Sequence, residues 1–286
     1  MTLNTWKVAL CGALAAGMVL LTGCGGTEAP VVTPKPQVTV EYGTAGDLTL
    51  DLQEGVGVSY LQPEGFRWDG DRVTYTDSSM EVMTGIDVSE HQRYLDWEKV
   101  AADGIDFAMI RLGYRGSTQG LLYGDPFFQN NIEKAYAAGL KVGVYFFSQA
   151  TTQAEAAAEA YYVTAILEQY RDKITMPVVF DWEVAEGANS RTATHNAKTV
   201  SDCGYTFTRI IREAGYDAGV YFNRHMGYYL YDLTRFIDTD VMFWFAGEGE
   251  YSDFYYEHAM WQYTFTGRVD GISGDVDMNL LVRPKQ

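Results

Sequence analysis

Cysteine is scarce in this sequence, with 3 residues in 286. Cys11 and Cys24 belong to an N-terminal segment typical of a targeting signal, so Cys203 is the one thiol expected in the folded region, which excludes an internal disulfide. Cys203 lies in "HNAKTVSDCGYTFTRIIREAG", where apolar residues recur at helical spacing. A lone cysteine can be a nucleophile, but this setting favours a buried, inert thiol.

Positive charge is also in short supply. The chain has 21 Lys and Arg against 38 Asp and Glu, giving a formal net charge of −17. Phosphate backbones are bound by clustered Lys and Arg, so nucleic acid is not expected as a partner. The glycine spacing of a dinucleotide site or a P-loop is missing from "GIDVSEHQ", the first strand of the barrel predicted below.

Histidine is rare, with four residues. His91 is close to Asp87 in sequence, whereas His195, His225 and His258 are scattered over predicted loops and helices. No pair has the spacing of metal ligands, so all four are interpreted as surface or structural residues. We therefore expect no metal and no other cofactor.

The N-terminus has the features of a lipoprotein signal. The apolar run "VALCGALAAGMVLL" after Lys7 is short for a membrane span and suits a signal peptide. It leads into "LTGC", residues 21–24, which resembles the lipobox of bacterial lipoproteins, where cleavage leaves Cys24 as the lipidated first residue. We predict a signal peptide over 1–23, a flexible tether over 24–37 and an extracytoplasmic protein anchored to the membrane through Cys24. An ordinary secretory signal is the alternative.

The next segment is rich in alternating patterns. "QVTVEY", "DLTLDL" and "RVTYTD" alternate apolar and polar residues, with glycine-containing breaks between them. Residues 38–82 are therefore predicted to be a β-rich spacer or a small accessory segment. Every motif discussed below lies further on, so a chain that begins near Met83 is expected to keep the catalytic fold.

From Gly85 onward, strand and helix patterns alternate. Strands such as "FAMIRLGY", "KVGVYFFSQ" and "AGVYFN" are separated by helical patterns that end at Gly104, Gly139 and Gly215; the last predicted strand is "AMWQYTF". This alternation predicts an α/β fold with parallel strands and crossover helices, and the number of units favours a closed or nearly closed barrel. An open doubly wound sheet is the alternative.

The fourth predicted strand, "VVFDWE", follows "GIDVSE", "FAMIRLGY" and "KVGVYFFSQ". It lies in the stretch "PVVFDWEVAEG", residues 177–187, and ends with two carboxyl groups. Side chains alternate along a strand, so Asp181 and Glu183 share one face with Val179, while Trp182 faces the other way. Reactive groups of α/β barrels lie at the C-terminal ends of strands. Two acids this close cannot both ionise freely, so one of them should keep its proton toward neutral pH.

Further carboxyl groups lie at comparable positions. Asp87 is in the first strand, and Asp275 and Asp277 lie in "GISGDVDMNL", after the last predicted strand. In a closed barrel the first and last strands are neighbours, so Asp87 and Asp277 could meet near the central pair. Clusters of Asp and Glu suit cleavage of glycosidic bonds, and they could also hold a divalent cation.

A family resemblance joins these motifs. "GIDVSEHQ", "LDWEKVAADGIDFAMIRLGYRG", "GVYFFSQATT", "VVFDWE", "AGVYFN" and "MWQYTFTGRVDGISGDVDMNL" occur in an order that resembles the family 25 glycoside hydrolases, the Chalaropsis-type lysozymes. The match runs over about residues 83–283, and 83–286 is accordingly interpreted as the catalytic region. The resemblance implies a modified (β/α) TIM-like barrel that hydrolyses the β-1,4 bond between N-acetylmuramic acid and N-acetylglucosamine of peptidoglycan. It also implies an acidic catalytic cluster made of Asp87, Asp181, Glu183 and Asp277.

The resemblance suggests roles for these side chains. Glu183 fits the general acid, and Asp181 would orient or charge-stabilise the N-acetyl group of the substrate. The residues at the family's sugar-contact positions are Arg111, Tyr114, Tyr145, Tyr221, Asn223, Trp261 and Gln262. Among the aromatic residues, core packing is an equally good interpretation for all except Tyr145 and Trp261. Whether the product retains its configuration stays open.

Two other functions remain compatible with the sequence. One is a catalytically silent barrel that binds glycan, and the other is a hydrolase of another acetylated glycan such as chitin. The partner expected in the leading interpretation is the glycan strand of peptidoglycan, and the protein is expected to be a monomer.

Overall fold

Thirteen β-strands and five α-helices make up the regular structure of this computed structural model, which describes residues 35–185, 187 and 189–285. The strands are β1 (Gln37–Glu41), β2 (Asp47–Asp51), β3 (Phe66–Asp69), β4 (Arg72–Tyr75), β5 (Met80–Val88), β6 (Phe107–Arg115), β7 (Leu122–Gly124), β8 (Lys141–Ser148), β9 (Val178–Trp182), β10 (Ala218–Asn223), β11 (Met242–Ala246), β12 (Met260–Gly267) and β13 (Val276–Pro284). The helices are α1 (Trp97–Ala102), α2 (Phe128–Ala137), α3 (Gln153–Leu167), α4 (Ala197–Glu213) and α5 (Arg224–Tyr229).

The predicted signal peptide and lipidation site, including Cys24, lie outside the described residues. None of the helices within the described part of the chain has both the length and the apolar character needed to cross a membrane.

Eight strands form a closed barrel. Their order around the wall is β5-β13-β12-β11-β10-β9-β8-β6, and pairing of β5 with β6 closes it. This confirms the predicted barrel over the open sheet. The expectation that "AMWQYTF" is the last strand was wrong, because β13 follows it and runs antiparallel to both of its neighbours, β12 and β5. The other seven barrel strands are parallel.

Local signals in the sequence set the ends of the helices. The side chains of Thr152 and Asn196 accept hydrogen bonds from backbone N–H groups in the first turns of α3 and α4. Gly139 and Gly215 follow α2 and α4 with φ values of 89° and 85°. This left-handed backbone ends a helix at little cost only with glycine, which confirms both predicted stops.

The barrel wall separates two apolar layers. Inside the barrel lie the side chains of Met83, Phe107, Met109, Met176, Val179, Trp244, Met260 and Leu281. Outside, Val178, Phe180 and Trp182 of β9 pack toward the helices, and Cys203 of α4 belongs to the same layer. The predicted alternation along β9 is thus confirmed, and it directs Asp181 into the barrel. Cys203 is fully buried, as predicted, and burial raises the pKa of its thiol to about 12.

The segment before the barrel packs against it. Pro36–Gln286 form one compact unit, and Leu61, Phe66, Val73 and Tyr75 belong to the outer apolar layer of the barrel. No α-helix follows β11 or β12 in the part of the chain that the structure describes. The hairpin of β3 and β4 covers this wall instead, with the Phe66 ring edge-on to Trp261 at 5.3 Å between centroids.

Polar contacts fasten the same segment to the barrel. The Tyr60 hydroxyl donates to the carbonyl oxygen of Val282 over 2.8 Å, and Gln53 accepts a 2.6 Å hydrogen bond from the Leu233 backbone. The predicted boundary between residues 82 and 83 falls inside β5, where Met80 already pairs with Pro284. The segment is therefore part of the packing of the barrel rather than a spacer.

Candidate active site

A cleft of about 320 Å³ opens at the C-terminal ends of the parallel strands. Asp87 and Asp181 lie one residue before the ends of β5 and β9, and Glu183 directly follows β9. Asp277 reaches the same level from the start of β13, because this strand runs the opposite way. All four carboxyl groups line the cleft, at the end of the barrel where α/β barrels carry their active sites.

Asp87 and Asp277 form one carboxyl pair. They lie directly opposite each other in the β5–β13 ladder. Burial raises the pKa of Asp87, and burial together with the nearby Asp87 charge raises the pKa of Asp277 to about 8. Two buried carboxyl groups in contact share a proton at neutral pH.

Two amides decide which member of this pair is ionised. The side-chain N–H groups of Gln262 and Asn279 each donate to Asp87 Oδ2 over 2.8 Å. Their orientation is fixed, because Tyr221 O–H donates to Gln262 Oε1 and Trp244 Nε1–H donates to Asn279 Oδ1. These two hydrogen bonds lower the pKa of Asp87, whereas the neighbouring Asp87 carboxylate raises the pKa of Asp277, so the shared proton is favoured on Asp277.

Asp181 and Glu183 form the second pair. The pKa of Asp181 lies well above its usual value because the group is buried and faces the charge of Glu183. The pKa of Glu183 is also raised, mainly by burial. Among the described residues, Asp181 Oδ1 is buried and has no hydrogen-bond partner. Burial and mutual repulsion therefore favour a protonated form of this pair, and Glu183 is its more exposed member.

Arg111 supplies positive charge to the cleft from β6. Its Nε donates to Asp125 Oδ2 and its Nη2 to Glu90 Oε1, both over 2.8 Å. Asp125 Oδ2 also accepts from the Glu90 backbone N–H over 2.9 Å. The guanidinium is thereby held in one position at the wall of the cleft.

The structure brings most of the predicted sugar contacts to this cleft. Arg111, Tyr145, Tyr221 and Gln262 line it together with the four carboxyl groups. Both tyrosine rings pack edge-on against Trp244, at 6.2 and 5.0 Å between centroids.

Three predicted contacts lie elsewhere. Tyr114 stacks on Tyr123 at 5.3 Å, and Asn223 caps α5 by accepting a hydrogen bond from the Met226 backbone. Trp261 is 1% exposed and points outward from β12 into the layer that contains Phe66. None of these three side chains lines the cleft.

Several lining residues were not predicted to belong to the site. They are Ser89, His91, Gln92, Phe147, Trp244 and Phe265. His91 was interpreted as a surface or structural residue, but the loop after β5 places it in the wall of the cleft. The sequence feature that could have identified His91 is its position just after a barrel strand, where the loops of α/β barrels build the active site. In residues 35–185, 187 and 189–285, no group of three or more His, Cys, Asp or Glu side chains is arranged to hold a metal ion.

A closed α/β barrel with two buried and two half-buried carboxyl groups at its mouth has the fold and the acid–base groups of a glycoside hydrolase. A family model described as glycosyl hydrolases family 25 matches residues 86–272. The chain belongs to glycosyl hydrolases family 25, which confirms both the family and the enzyme class predicted from the sequence.

Similarity to known proteins extends over most of the chain. Lysozyme M1 of Streptomyces globisporus is 28% identical over 295 aligned residues, which cover 95% of this chain and 89% of that protein. The crystal structure of a bacterial lysozyme from Streptomyces coelicolor superposes with a TM-score of 0.54 at 25% identity, covering 71% of this chain and 92% of that one.

A larger structure shares the fold. The modular autolysin LytC from Streptococcus pneumoniae, solved in complex with a synthetic peptidoglycan ligand, superposes with a TM-score of 0.59 at 23% identity. The match covers 84% of this chain and 55% of LytC, so the chain spans just over half the length of that protein.

Proposed function

We propose that the cleft hydrolyses the β-1,4 bond between N-acetylmuramic acid and N-acetylglucosamine in peptidoglycan, with Glu183 as the general acid. Membership of family 25 and similarity to lysozymes support peptidoglycan as the substrate. The observation that carries the proposal is the carboxyl pair of Asp181 and Glu183 in the cleft at the barrel mouth, where burial raises the pKa of both groups. A group that donates a proton near neutral pH must keep that proton in the free enzyme.

Glu183 delivers the proton of this pair to the leaving oxygen. It is more exposed than Asp181, and it directly follows the strand that carries the pair into the barrel mouth. As the bond breaks, positive charge develops at the anomeric carbon, and the proton on the leaving oxygen lets the sugar depart as an alcohol. Water then adds at the anomeric carbon and returns a proton to the carboxyl pair, which completes the hydrolysis.

Asp181 acts on the substrate rather than on the leaving group. Once the pair has given up its proton, the Asp181 carboxylate orients or stabilises the N-acetyl group of the substrate. That N-acetyl group can itself stabilise the cationic centre. Asp87 and Asp277 provide a further negative charge beneath the sugar. The role of Asp277 rests on its position opposite Asp87, because it lies beyond the residues matched by the family model.

The location of the enzyme is proposed on the sequence motif. The "LTGC" motif supports removal of residues 1–23 and a lipid anchor on Cys24, which would hold the enzyme at the outer face of the membrane beside the cell wall. We also propose that the enzyme acts as a monomer, which is supported by the presence of all four carboxyl groups in one chain.

The test is the substitution Glu183→Gln, which keeps the shape of the side chain and removes the donated proton. We expect release of reducing ends from purified peptidoglycan to fall by roughly 10²- to 10⁴-fold, the usual contribution of a general acid. Binding to the wall should survive, since the cleft is otherwise unchanged.

Two comparisons complete this test. Chitin, assayed in parallel, separates a muramidase from a hydrolase of another acetylated glycan. Wall binding without cleavage by the wild-type enzyme would favour the silent glycan-binding barrel. A Glu183→Gln enzyme that cleaves peptidoglycan at close to the wild-type rate would show that the proton comes from another group.

A further inference from the structure

Two buried side chains hold the backbone around Glu183. Gln149 directly follows β8, Thr192 lies beyond the loop that starts at residue 184, and both are fully buried. Gln149 Nε2 donates to the Glu183 carbonyl oxygen over 2.7 Å. Thr192 Oγ1 donates to Gln149 Oε1 over 2.9 Å and accepts from the Ala185 N–H over 3.0 Å. We call Gln149 and Thr192 the clasp.

The direction of each bond in the clasp is determined. The carbonyl oxygens of Glu183 and Ser148 can only accept, so the Gln149 amide nitrogen faces them, over 2.7 and 3.0 Å, and Gln149 Oε1 faces Thr192. Thr192 Oγ1 therefore donates to Gln149 Oε1 and accepts from the Ala185 N–H and from the Ser190 hydroxyl, which is 3.0 Å away. The clasp is consistent only in this orientation.

The clasp contacts the backbone directly after the point where the sheet pairing of β9 ends. The last ladder pairs of β9 are Ser148↔Trp182 and Tyr221↔Asp181, so Glu183 is the first residue beyond the sheet. A backbone carbonyl in this partly buried place needs a partner, and the sheet no longer provides one. Gln149 supplies it from the adjacent strand end, while Thr192 fixes the backbone two residues further on.

We propose that the clasp of Gln149 and Thr192 positions the Glu183 carboxyl group for proton transfer. The inference rests on the proposed function of Glu183. A catalytic group must be held within about 0.5 Å of its productive geometry, and its supporting shell provides that precision. Neither clasp residue lines the cleft, so both act through the Glu183 backbone rather than on the substrate.

The test compares two substitutions of Thr192 in the full-length enzyme. Thr192→Val keeps the size and branching of the side chain but removes the hydroxyl that joins Gln149 to Ala185, whereas Thr192→Ser keeps the hydroxyl. We expect Thr192→Val to lower kcat by roughly 10- to 100-fold, the effect of a displacement of up to about 1 Å, with little change in KM. Thr192→Ser should restore most of kcat.

A matched control is available in α4. Thr208 is also buried, and its hydroxyl donates to the Gly204 carbonyl oxygen over 2.8 Å, within α4. Thr208→Val therefore makes the same chemical change in a buried hydrogen bond that does not involve Glu183. It should leave kcat within about twofold of wild type, and the free energy of unfolding of both variants is measured beside kcat. All assays are run well below the unfolding transition of each variant.

A double mutant separates positioning from a general structural role. If the clasp acts through Glu183, adding Thr192→Val to Glu183→Gln should cause almost no further loss, because the group being positioned no longer donates a proton. If the double mutant loses kcat by the product of the two single-mutant factors, the clasp proposal is overturned, while Glu183 remains the general acid. A wild-type rate for Glu183→Gln alone would instead overturn the proposed function, and with it the clasp. A Thr192→Val enzyme with unchanged kcat would also refute the clasp.

Discussion

Phe66→Ala tests whether the N-terminal segment is a structural part of the barrel. Phe66 is 6% exposed, and its ring lies edge-on to Trp261 of β12 and to Tyr75 of β4, at 5.3 and 5.0 Å between centroids. Truncation of a buried Phe to Ala costs about 3–5 kcal/mol. Because about 1 kcal/mol shifts Tm by about 2–4 °C in a chain of this size, the expected fall in Tm is roughly 6–20 °C.

The measurement is thermal and denaturant unfolding followed by circular dichroism. Thr74→Ala on the neighbouring strand β4 is the control, because Thr74 is exposed and should change the free energy of unfolding by no more than about 1 kcal/mol. If Phe66→Ala is as mild as Thr74→Ala, the segment is a spacer, which is one of the two interpretations of its sequence.

The same reasoning applies to deletion of the whole segment. A chain that begins at Met83 loses β1 to β4, the first three residues of β5 and the buried side chains of Leu61, Phe66, Val73 and Tyr75. At about 1.5–3 kcal/mol for each buried side chain, the loss approaches the 5–15 kcal/mol that stabilises a typical protein. We expect this chain not to fold, contrary to the expectation from sequence. A soluble truncated enzyme with a cooperative transition at the wild-type Tm would contradict us.

Three further outcomes are expected. Asp277→Asn should reduce turnover of peptidoglycan by at least roughly tenfold, whereas Asp275→Asn should keep most activity, since Asp275 is exposed and paired with Arg268; equal losses would contradict the assignment. Burial lowers the pKa of His258 from 6.5 to about 4, so the protein takes up a proton when it unfolds between these pH values. The contribution of His258 to the free energy of unfolding is therefore fully present above pH 6.5 and falls by up to about 3 kcal/mol as the pH drops to 4. In His258→Gln, the free energy of unfolding from denaturant titrations should fall less between pH 7 and pH 4.5 than in the wild type. An equal fall in both proteins would show that His258 does not cause it. Cys24→Ala should release active enzyme from membranes or block its maturation, and equal retention in the membrane fraction would disprove the anchor.

Much of the fold was predictable because its local signals are strong. Helix caps, stop glycines and alternation along strands each depend on a few neighbouring residues, and they agreed with one another. Alternation along β9 placed Val179 and Asp181 inside the barrel and Trp182 outside, as the structure has them.

The errors arose where long-range packing decides the outcome. β13 follows a glycine-containing stretch, and only pairing with β5 and β12 fixes its antiparallel direction. No local pattern could reveal that β3 and β4 replace helices on the barrel wall. The error at Trp261, in contrast, was avoidable from the sequence. Trp261 and Gln262 are consecutive residues of one strand, and consecutive side chains of a strand face opposite ways. Alternation alone therefore excluded that both side chains reach the sugar.

The antiparallel closure of the barrel also determines where another protein module could be joined. Met80 pairs with Pro284 at one end of the β5–β13 ladder, and Asp87 pairs with Asp277 at the other. Seven residues of strand separate the two rungs, a distance of about 23 Å at about 3.3 Å per residue. A targeting domain fused after Pro284 would therefore leave from the end of the barrel opposite the cleft. Such a chimera could be directed to a chosen bacterial surface while long glycan strands still have free access to the catalytic groups.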